Sequence, residues 1–310
     1  MRRDFIDEVG RMLKIGRKDM IEKDIILHEI LTYLSKDKFF AGSYLFKGGT
    51  CLIKHYLSYY RFSEDIDFTW KDQKIFEKMS QNEIRRYLSP IVGRTGRVLE
   101  GISEKMDLDF KCIKNNKRYV ELVGSNKTVT FKIWYDSEIL GMESFIKVQI
   151  NFVDELHFRP RKGELRSLVG SKEAREIGAL FPEHVGYFHP VMMTLYDPRE
   201  IFAEKVRAIM TRRGTKPRDF IDIFLLSGNL GIKADELEDV IISKTEFMLK
   251  NYDRFRRNFA LKKEFFKEDG GLMSSKENEL LILPIDEKGF HIFIRDFNDF
   301  LKGIFGRIDA

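Results

Sequence analysis

Hydrophobic side chains change their spacing several times along the first third of the chain. Before about Ser35, apolar residues recur at helical spacing, which predicts an amphipathic helix. The short apolar run Tyr44-Leu45-Phe46 then ends in Lys47-Gly48-Gly49-Thr50, after which helical spacing returns. The pattern therefore places the two glycines at a strand-to-helix or helix-to-helix corner, with Thr50 predicted as the N-cap of the helix that follows.

Alternating polar and apolar residues indicate strands in the next part of the chain. The second half of Arg61–Trp70 alternates in this way, with the period of a strand. The other predicted elements are a helix at about Ile75–Leu88 and strands at Leu108–Ile113, Val129–Tyr135 and Phe145–Phe152. The first part of the chain is therefore predicted to be mixed α/β with a modest sheet.

From about Pro198 the apolar pattern becomes helical. The segment Lys267–Glu279 is rich in Gly, Ser and Lys, which predicts a loop before a last helix that ends near Phe305. The predicted fold class is α+β, with two domains. Residues 1–190 form an α/β lobe with an N-terminal helix, and residues 191–310 form a helical lobe.

Composition narrows the functional class. Hydrophobic residues make up 43% and charged residues 33% of 310 residues, which is ordinary for a soluble globular protein. There is no apolar run long enough to span a bilayer, so we expect a cytoplasmic protein without a membrane partner. The two cysteines are too few for a disulfide framework, and the six histidines show neither zinc-ligand spacing nor a hydrolase triad.

The net charge of +5 permits a polyanionic partner, and the positive charge is concentrated in two segments. Lys205–Arg218 is basic, and Lys250–Lys267 interleaves basic with aromatic residues. The second segment could follow an RNA backbone, with its aromatic rings stacking on bases. It could equally be an amphipathic helix with its rings in the core. The candidate RNA-contacting residues are Arg212, Arg213, Arg256 and Arg257.

The most informative motif is Asp65-Ile66-Asp67. On a strand, alternation places both carboxylates on one face and Ile66 on the other. Two like charges so close together are unfavourable unless a cation or water separates them. Mg²⁺ prefers carboxylate oxygens and substrate phosphates, so the pair is a candidate metal site. The alternative to a metal site is that the two carboxylates simply lie on a solvent-exposed strand face.

The glycine corner upstream supplies the second half of a phosphate-transfer site. Gly48-Gly49 lets a backbone approach a triphosphate closely, and a helix beginning at Thr50 would offer its N-terminal amides to the anion. A turn of no functional importance is the alternative. The combination matches a site for transfer at a phosphate, with metal on two carboxylates and phosphates on backbone amides.

Three motifs, in order, resemble one known family. Phe46-Lys47-Gly48-Gly49-Thr50-Cys51-Leu52 and then Arg61-Phe62-Ser63-Glu64-Asp65-Ile66-Asp67-Phe68 are similar to the AbiEii/AbiGii toxin family of nucleotidyltransferases. Glu200, Glu204-Lys205 and Ala208 resemble the family's lysine-bearing helix, and Arg218-Asp219-Phe220-Ile221-Asp222-Ile223 resembles its Arg/Lys-Asp-x-x-Asp block. The family comprises toxins of type IV toxin–antitoxin systems, within the DNA polymerase β-like nucleotidyltransferase superfamily.

The resemblance implies a nucleotidyltransferase palm with a mixed sheet and an added C-terminal helical lobe. It implies Mg²⁺-assisted attack of an acceptor on the α-phosphate of a nucleoside triphosphate. The acceptor would be RNA, in particular the 3′ acceptor end of tRNA, so that translation is blocked, and an antitoxin would be encoded nearby. The implied catalytic residues are Asp65, Asp67, Lys205, Asp219 and Asp222, and the implied nucleotide-binding residues are Lys47, Gly48, Gly49, Thr50, Arg61 and Ser63.

The third carboxylate common in palm nucleotidyltransferases is missing from the expected strand. The polar face of Ile146–Phe152 carries Lys147, Gln149 and Asn151. Asp154 falls on the apolar face by alternation, so only a bulge or turn could aim it at the site. Asp136 is a second candidate.

The residues leave several alternatives open. Lys205 could be a solvated helix residue, Asp219 could cap a helix beginning near Phe220, and Ser63 could be a cap. The acceptor could be a protein or a small molecule. The chain could also be a degenerate module that binds nucleic acid or protein without catalysis.

Overall fold

The computed structural model describes residues 2–267 and 281–308. The loop predicted at Lys267–Glu279 therefore lies outside the described residues, except for Lys267 itself. Contacts between residues divide the chain into two compact units. The first contains Met1–Asp154 and Pro160–Leu195, and the second contains Glu155–Arg159 and Tyr196–Ala310. The domain limits drawn from the sequence remain a prediction. Within the described residues, no helix is both long and apolar enough to cross a membrane.

A mixed sheet forms the centre of the first unit. Its strands are β1 (Tyr44–Lys47), β2 (Asp65–Trp70), β3 (Val120–Val123), β4 (Thr128–Asp136), β5 (Glu143–Asn151), β6 (Arg161–Leu165) and β7 (Val191–Leu195). Among the described residues they form one seven-stranded sheet in the order β3-β4-β5-β2-β1-β7-β6. The β2/β5 and β1/β7 pairs are parallel and the other pairs are antiparallel.

Helices of the first unit precede the sheet or connect its strands. They are α1 (Arg2–Leu13), α2 (Lys18–Lys36), α3 (Lys38–Ser43), α4 (Gly48–Cys51), α5 (Gln81–Lys105) and α6 (Ser171–Leu180). A π-helix, Leu52–Tyr56, continues α4, and 3₁₀ segments span Lys74–Phe76 and Pro182–Phe188. The corner between β1 and α4 therefore begins where β1 ends, and β1 is the strand that pairs with β2.

Alternation explains which strand faces are buried. Ile66 and Phe68 of β2 are fully buried, as are Ile146, Val148 and Ile150 of β5. The intervening polar residues of both strands project to the opposite face. Burial of the apolar face fixes the register, because a one-residue slip would expose every one of these side chains. The same register determines which polar residues become neighbours.

The predicted strand at Leu108–Ile113 is wrong. Apart from one isolated bridge between Asp109 and Trp134, this segment is irregular. The ring of Phe110 is 1% exposed and packs edge-on against Phe131 at 5.9 Å. An apolar residue can thus be buried beside a sheet without a hydrogen-bonded ladder, and β3 takes the edge position instead.

The predicted helix at Ile75–Leu88 is also wrong in its limits. The helix α5 begins after a capping box, in which Ser80 and Glu83 satisfy each other's backbone amides. It continues past Pro90 to Lys105, because a buried stripe that includes Val92 and Leu99 outweighs the local cost of proline.

A buried polar cluster anchors the π-helix that follows the glycine corner. The ammonium of Lys54 lies 2.9 Å from Oδ1 of Asp24 on α2, and both side chains are almost completely buried. Tyr187 donates to Oδ2 of Asp24 at 2.7 Å, and Tyr59 donates to the same carboxylate. Burial lowers the pKa of Lys54, while Asp24 opposes that shift. The cluster ties α2 to the segment behind the corner.

The second unit is helical in the residues that are described. Its helices are α7 (Pro198–Thr211), α8 (Pro217–Leu230), α9 (Glu238–Asn251), α10 (Asp253–Lys267) and α11 (Glu287–Arg307), with a 3₁₀ segment at Asp235–Leu237. Buried aromatic rings such as Phe220 and Phe297 pack edge-on at 6.0 Å in its core. A helical C-terminal part is therefore confirmed.

Candidate active site

The β2 face presents the two predicted metal carboxylates. Asp65 and Asp67 are half-buried, whereas Ile66 between them is completely buried. The alternation inferred from the sequence is thus realised in the strand. Both carboxylates lie on the same face of the sheet, as neighbours two positions apart on one strand.

The register with β5 fixes the side chains beside this pair. Asp65 lies opposite Lys147 and Asp67 opposite Gln149 in parallel pairing. The ammonium of Lys147 approaches Oδ1 of Asp65 to 4.0 Å. The polar face of β5 thus places a cation, and not an acid, beside Asp65. The charge of Lys147 offsets part of the repulsion between the two carboxylates.

Gly48 packs directly against Asp67. Its φ of +76° lies in the left-handed region, which favours glycine. A Cβ added to Gly48 would meet Oδ2 of Asp67 and would lie 3.0 Å from the Cβ and Cγ of that residue. The absence of a side chain therefore allows the backbone corner to touch the carboxylate.

We expect Gly48→Ala to reduce nucleotide transfer roughly a hundredfold, because it displaces Asp67. The left-handed backbone alone would cost about 1–2 kcal/mol of stability. The matched control is Gly141→Ala, since Gly141 has a φ of +65° but no atom within 4 Å of an added Cβ. Steady-state transfer kinetics and thermal unfolding would be measured for both variants. Equal loss of activity in the two would refute the specific role of the Gly48–Asp67 contact.

Gly49 and Thr50 join the corner to the segment before β2. A Cβ on Gly49 would lie 2.5 Å from Nη2 of Arg61 and 3.3 Å from Oγ of Ser63. The hydroxyl of Thr50 donates to Oγ of Ser63 at 2.8 Å and also contacts the carbonyl of Asp65. Thr50 is not an N-cap, because α4 already begins at Gly48. Its hydroxyl is instead used to hold the corner against β2.

Lys47 and Asp154 form a buried ion pair at the edge of this face. Lys47 lies opposite Asp67 in the β1/β2 register. Its ammonium lies 3.2 Å from Oδ2 of Asp154, with side-chain exposures of 5% and 9%. The chain turns after β5, which brings the Asp154 carboxylate to Lys47. Asp154 is thus an additional acid beside the partner strand of Asp67, and it is already paired with a cation.

Asp136 does not fit the position of a third acid. It pairs with Glu143 at the far end of β4, whereas Lys132 of β4 lies beside Lys147, the partner of Asp65. The four residues from Lys132 to Asp136 span about 13 Å along the strand. The register therefore separates Asp136 from the carboxylate pair.

The donor set on β2 fits a hard divalent cation. Mg²⁺ is commonly held by one or two carboxylates together with substrate phosphates and water. Asp65 and Asp67 supply such a pair, half-exposed and therefore open to a ligand. No cluster of three or more His, Cys, Asp or Glu ligands occurs in the part of the chain described, so a cage made only of protein is not indicated there.

In the second unit, Lys205 is surrounded by carboxylates. Its ammonium lies 3.0 Å from Oδ1 of Asp219 and 2.5 Å from Oδ2 of Asp222. The side chain of Lys205 is 10% exposed, and Asp222 is completely buried. The alternative of a solvated lysine is therefore wrong. The three predicted catalytic residues of this unit lie together as one charge cluster.

Arg212 completes the cluster around Asp219. Its guanidinium contacts Oδ2 of Asp219 at 2.5 Å, opposite the oxygen that binds Lys205. Burial opposes ionisation of Asp219, but Lys205 and Arg212 outweigh it and hold the pKa of Asp219 below its ordinary value. Asp219 is not a helix cap, because α8 begins at Pro217. Its carboxylate instead links the two cations.

Glu200 has a structural partner of its own. Its carboxylate lies 2.6 Å from the ammonium of Lys244, with both side chains 1% exposed. The other oxygen of Glu200 accepts hydrogen bonds from the backbone amides of His157 and Phe158 at 2.9 Å. This motif residue therefore fixes the segment Glu155–Arg159 within the second unit. The structure gives it a packing role.

The aromatic and basic residues of α10 separate by burial. Phe259 and Phe266 are buried and pack against Phe305 of α11 at 5.0 and 5.5 Å. These rings belong to the core, as the amphipathic-helix alternative predicted. The candidate RNA-contacting arginines Arg213, Arg256 and Arg257 are exposed, whereas Arg212 is half-buried against Asp219.

Sequence reasoning missed two neighbours of the carboxylate pair. Lys147 was assigned only to a polar strand face, and Lys47 only to the nucleotide. Both contacts depend on strand register, which puts Lys147 beside Asp65 and Lys47 beside Asp67. Alternation identified the correct face of each strand, but it carries no information about which strands are adjacent.

A mixed palm sheet with two carboxylates beside a glycine corner defines the chain as a nucleotidyltransferase. The family model described as nucleotidyl transferase AbiEii toxin, type IV TA system, matches residues 30–304. The chain therefore belongs to the AbiEii family of nucleotidyltransferase toxins, as its motifs indicated. Family membership also implies a nucleotide substrate, a divalent metal and an antitoxin partner, and it favours an enzyme over the non-catalytic binding module.

Similar solved structures come from Helicobacter pylori. The chain is 14% identical to the crystal structure of JHP933, with 93% of this chain and 94% of that chain covered and a TM-score of 0.43. It is also 14% identical to a structure provisionally described as a nucleotidyltransferase, with coverages of 92% and 95% and a TM-score of 0.41. No curated protein matches the chain.

Proposed function

We propose that this protein transfers a nucleoside monophosphate from a nucleoside triphosphate to the 3′ acceptor end of tRNA and thereby blocks translation. The observation that carries the proposal is the contact of Gly48 with Asp67, next to Asp65 on the same strand face. It supports a site in which a backbone corner and a carboxylate pair meet one triphosphate. We expect the reaction to take place in the cytoplasm.

The reaction requires little covalent chemistry from the protein. The oxygen of an acceptor hydroxyl forms a bond to the α-phosphorus, and the bond from that phosphorus to the bridging oxygen of the β-phosphate breaks. Pyrophosphate leaves, and the hydroxyl proton passes to water or to a carboxylate. Catalysis therefore depends mainly on positioning and on neutralising charge.

We assign Asp65 and Asp67 to Mg²⁺. The bound cation would neutralise charge on the phosphates and orient them for in-line attack. The amides of Gly48 and Gly49, at the start of α4, would bind phosphate oxygens. Ser63 and Arg61 occupy the space where a side chain on Gly49 would lie and would keep this corner in place. Lys47 would act through its backbone and through its ion pair with Asp154.

We assign Lys205 to phosphate neutralisation, with Asp219 and Asp222 as the residues that position its ammonium. Support comes from the two ion pairs of Lys205, at 3.0 and 2.5 Å, because they leave its side chain few rotamers. An ammonium restrained in this way is suited to binding a phosphate oxygen.

The decisive experiment incubates the purified chain with Mg²⁺, each labelled nucleoside triphosphate in turn, and total tRNA. The Asp65→Asn protein serves as the matched inactive sample. Label on RNA with the intact protein alone would support the proposed acceptor and would identify the preferred base. Label on protein or on a small molecule would identify that molecule, and not RNA, as the acceptor. No transfer to any acceptor would refute the assigned site in this chain.

A further inference from the structure

A basic groove lies in the first unit, between the N-terminal half of α5 and the turns that flank β3. Its volume of about 640 Å³ falls within the ~300–1,000 Å³ usual for ligand sites, although it is open along one side. None of its lining residues belongs to the carboxylate face of β2. The residues that carry its chemistry are Asn82, Arg85, Arg86, Lys114, Asn115 and Asn126.

The lining combines cations with neutral hydrogen-bond donors. Arg85 and Arg86 are exposed on α5. Lys114 is held in place, since its ammonium donates to the carbonyl of Ser89 at 2.8 Å and to its hydroxyl at 3.3 Å. An ammonium has three donors, so this anchoring can be combined with an anion. Among the described residues that line the groove there is no carboxylate.

A third guanidinium, that of Arg97, extends the positive surface along α5. A Cβ on Gly93 would lie 3.6 Å from both Nη1 of Arg97 and Nζ of Lys114, so the glycine lets these two cations approach one another. Arg86 and Arg97 are eleven positions apart. That spacing corresponds to roughly 16 Å along the helix. The strip is longer than a single phosphate requires.

The acidic residues of α5 have other partners. Glu83 accepts from the amide and hydroxyl of Ser80 at 2.8 and 2.7 Å. Glu100 and Glu104 lie 3.8 and 3.7 Å from the ammonium of Lys111. The groove therefore concentrates positive charge, which attracts anions.

We propose that this groove binds the sugar–phosphate backbone of the RNA acceptor. The inference rests on the proposed function, because it takes RNA as the acceptor. Arginine forks bind phosphodiester oxygens, and Asn and Ser side chains are common donors to phosphate and sugar. A strip of cations with amides between them fits a repeating polyanion better than a compact ligand. Such contacts hold RNA in register without reading its sequence.

The test measures binding of one fluorescently labelled tRNA transcript to the full chain by anisotropy, without nucleotide, over a range of salt concentrations. The variant is Arg85→Gln/Arg86→Gln. The matched control is Lys172→Gln/Arg175→Gln, which removes two exposed charges from α6 outside the groove. We expect the groove variant to bind about tenfold more weakly. Its slope of log affinity against log salt should fall by roughly 1.4–1.8 relative to wild type. The control should match wild type.

The outcomes separate this inference from the proposed reaction. If wild type binds the transcript and the groove variant has the same affinity and salt slope, the groove inference is refuted while the reaction stands. If the groove variant loses binding but the wild-type protein transfers no labelled nucleotide to RNA, the groove inference is supported and the proposed reaction with RNA is refuted. If wild type does not bind the transcript at all, both are refuted. Thermal unfolding of each variant should match wild type, because the substituted arginines are exposed.

Discussion

Replacing Asp65 or Asp67 with asparagine is expected to lower kcat/KM for nucleotide transfer on the order of a thousandfold or more, equivalent to roughly 4 kcal/mol of transition-state stabilisation. Asparagine keeps the shape of the side chain but removes the charge that holds Mg²⁺. Both residues are half-buried on the polar face of β2, so the sheet should fold without them. Removing one of two adjacent like charges relieves repulsion but also removes that carboxylate's attraction to a cation such as Lys147, so stability should change by less than about 1 kcal/mol.

Asp72→Asn is the matched control for these variants. Asp72 follows β2 closely in the chain and is exposed, so its substitution removes the same charge from the same segment. Transfer should be unchanged in the control. Mg²⁺ titrations of transfer should show a greatly raised metal requirement for the Asp65 and Asp67 variants only. Wild-type activity in either of them would show that the metal lies elsewhere.

The carboxylate pair illustrates what alternation alone can predict. Asp65 and Asp67 were assigned to one strand face because the apolar Ile66 separates them, and burial of Ile66 agrees with that assignment. The glycine corner was likewise located from the end of an apolar run. In both cases the signal is local, since it depends on residues that are adjacent in the sequence.

Non-local features were not accessible in this way. The pairing of Asp65 with Lys147 joins strands separated by some eighty residues, and the sequence does not specify which strands become neighbours. The segment Leu108–Ile113 has a strand-like composition, yet it packs through Phe110 without a ladder. β3, which does pair, is only four residues long. Such a short edge strand has too few positions to establish a period.

The burial of charged side chains was the other property that could not be predicted from the sequence. A lysine on an amphipathic helix is usually solvated, and nothing in the spacing of Lys205 predicts its 10% exposure. The ion pairs with Asp219 and Asp222 require α7 and α8 to pack closely, which is a tertiary property. The resemblance of motifs grouped three residues that the structure brings together, whereas the local pattern favoured a solvated lysine.

We expect Lys205→Met to destabilise the second unit by about 3–5 kcal/mol, because it removes the ammonium between two buried carboxylates. Both tryptophans, Trp70 and Trp134, lie in the first unit. Urea unfolding should therefore be followed by far-ultraviolet circular dichroism, to which the helices of both units contribute, as well as by tryptophan fluorescence, which reports the first unit. A loss below about 1 kcal/mol would show that the two ion pairs contribute little.

The double variant Lys205→Met/Asp222→Asn distinguishes a structural role of the lysine from a role in transfer. It removes one cation and one carboxylate together, while Arg212 still contacts Asp219. We expect a coupling energy of roughly 1–3 kcal/mol, so that much of the lost stability returns. Transfer should not return if the ammonium neutralises phosphate, since no other cation replaces it. Recovery of wild-type kcat and nucleotide KM in the double variant would instead make Lys205 a purely structural residue, because folding alone would then account for its effect.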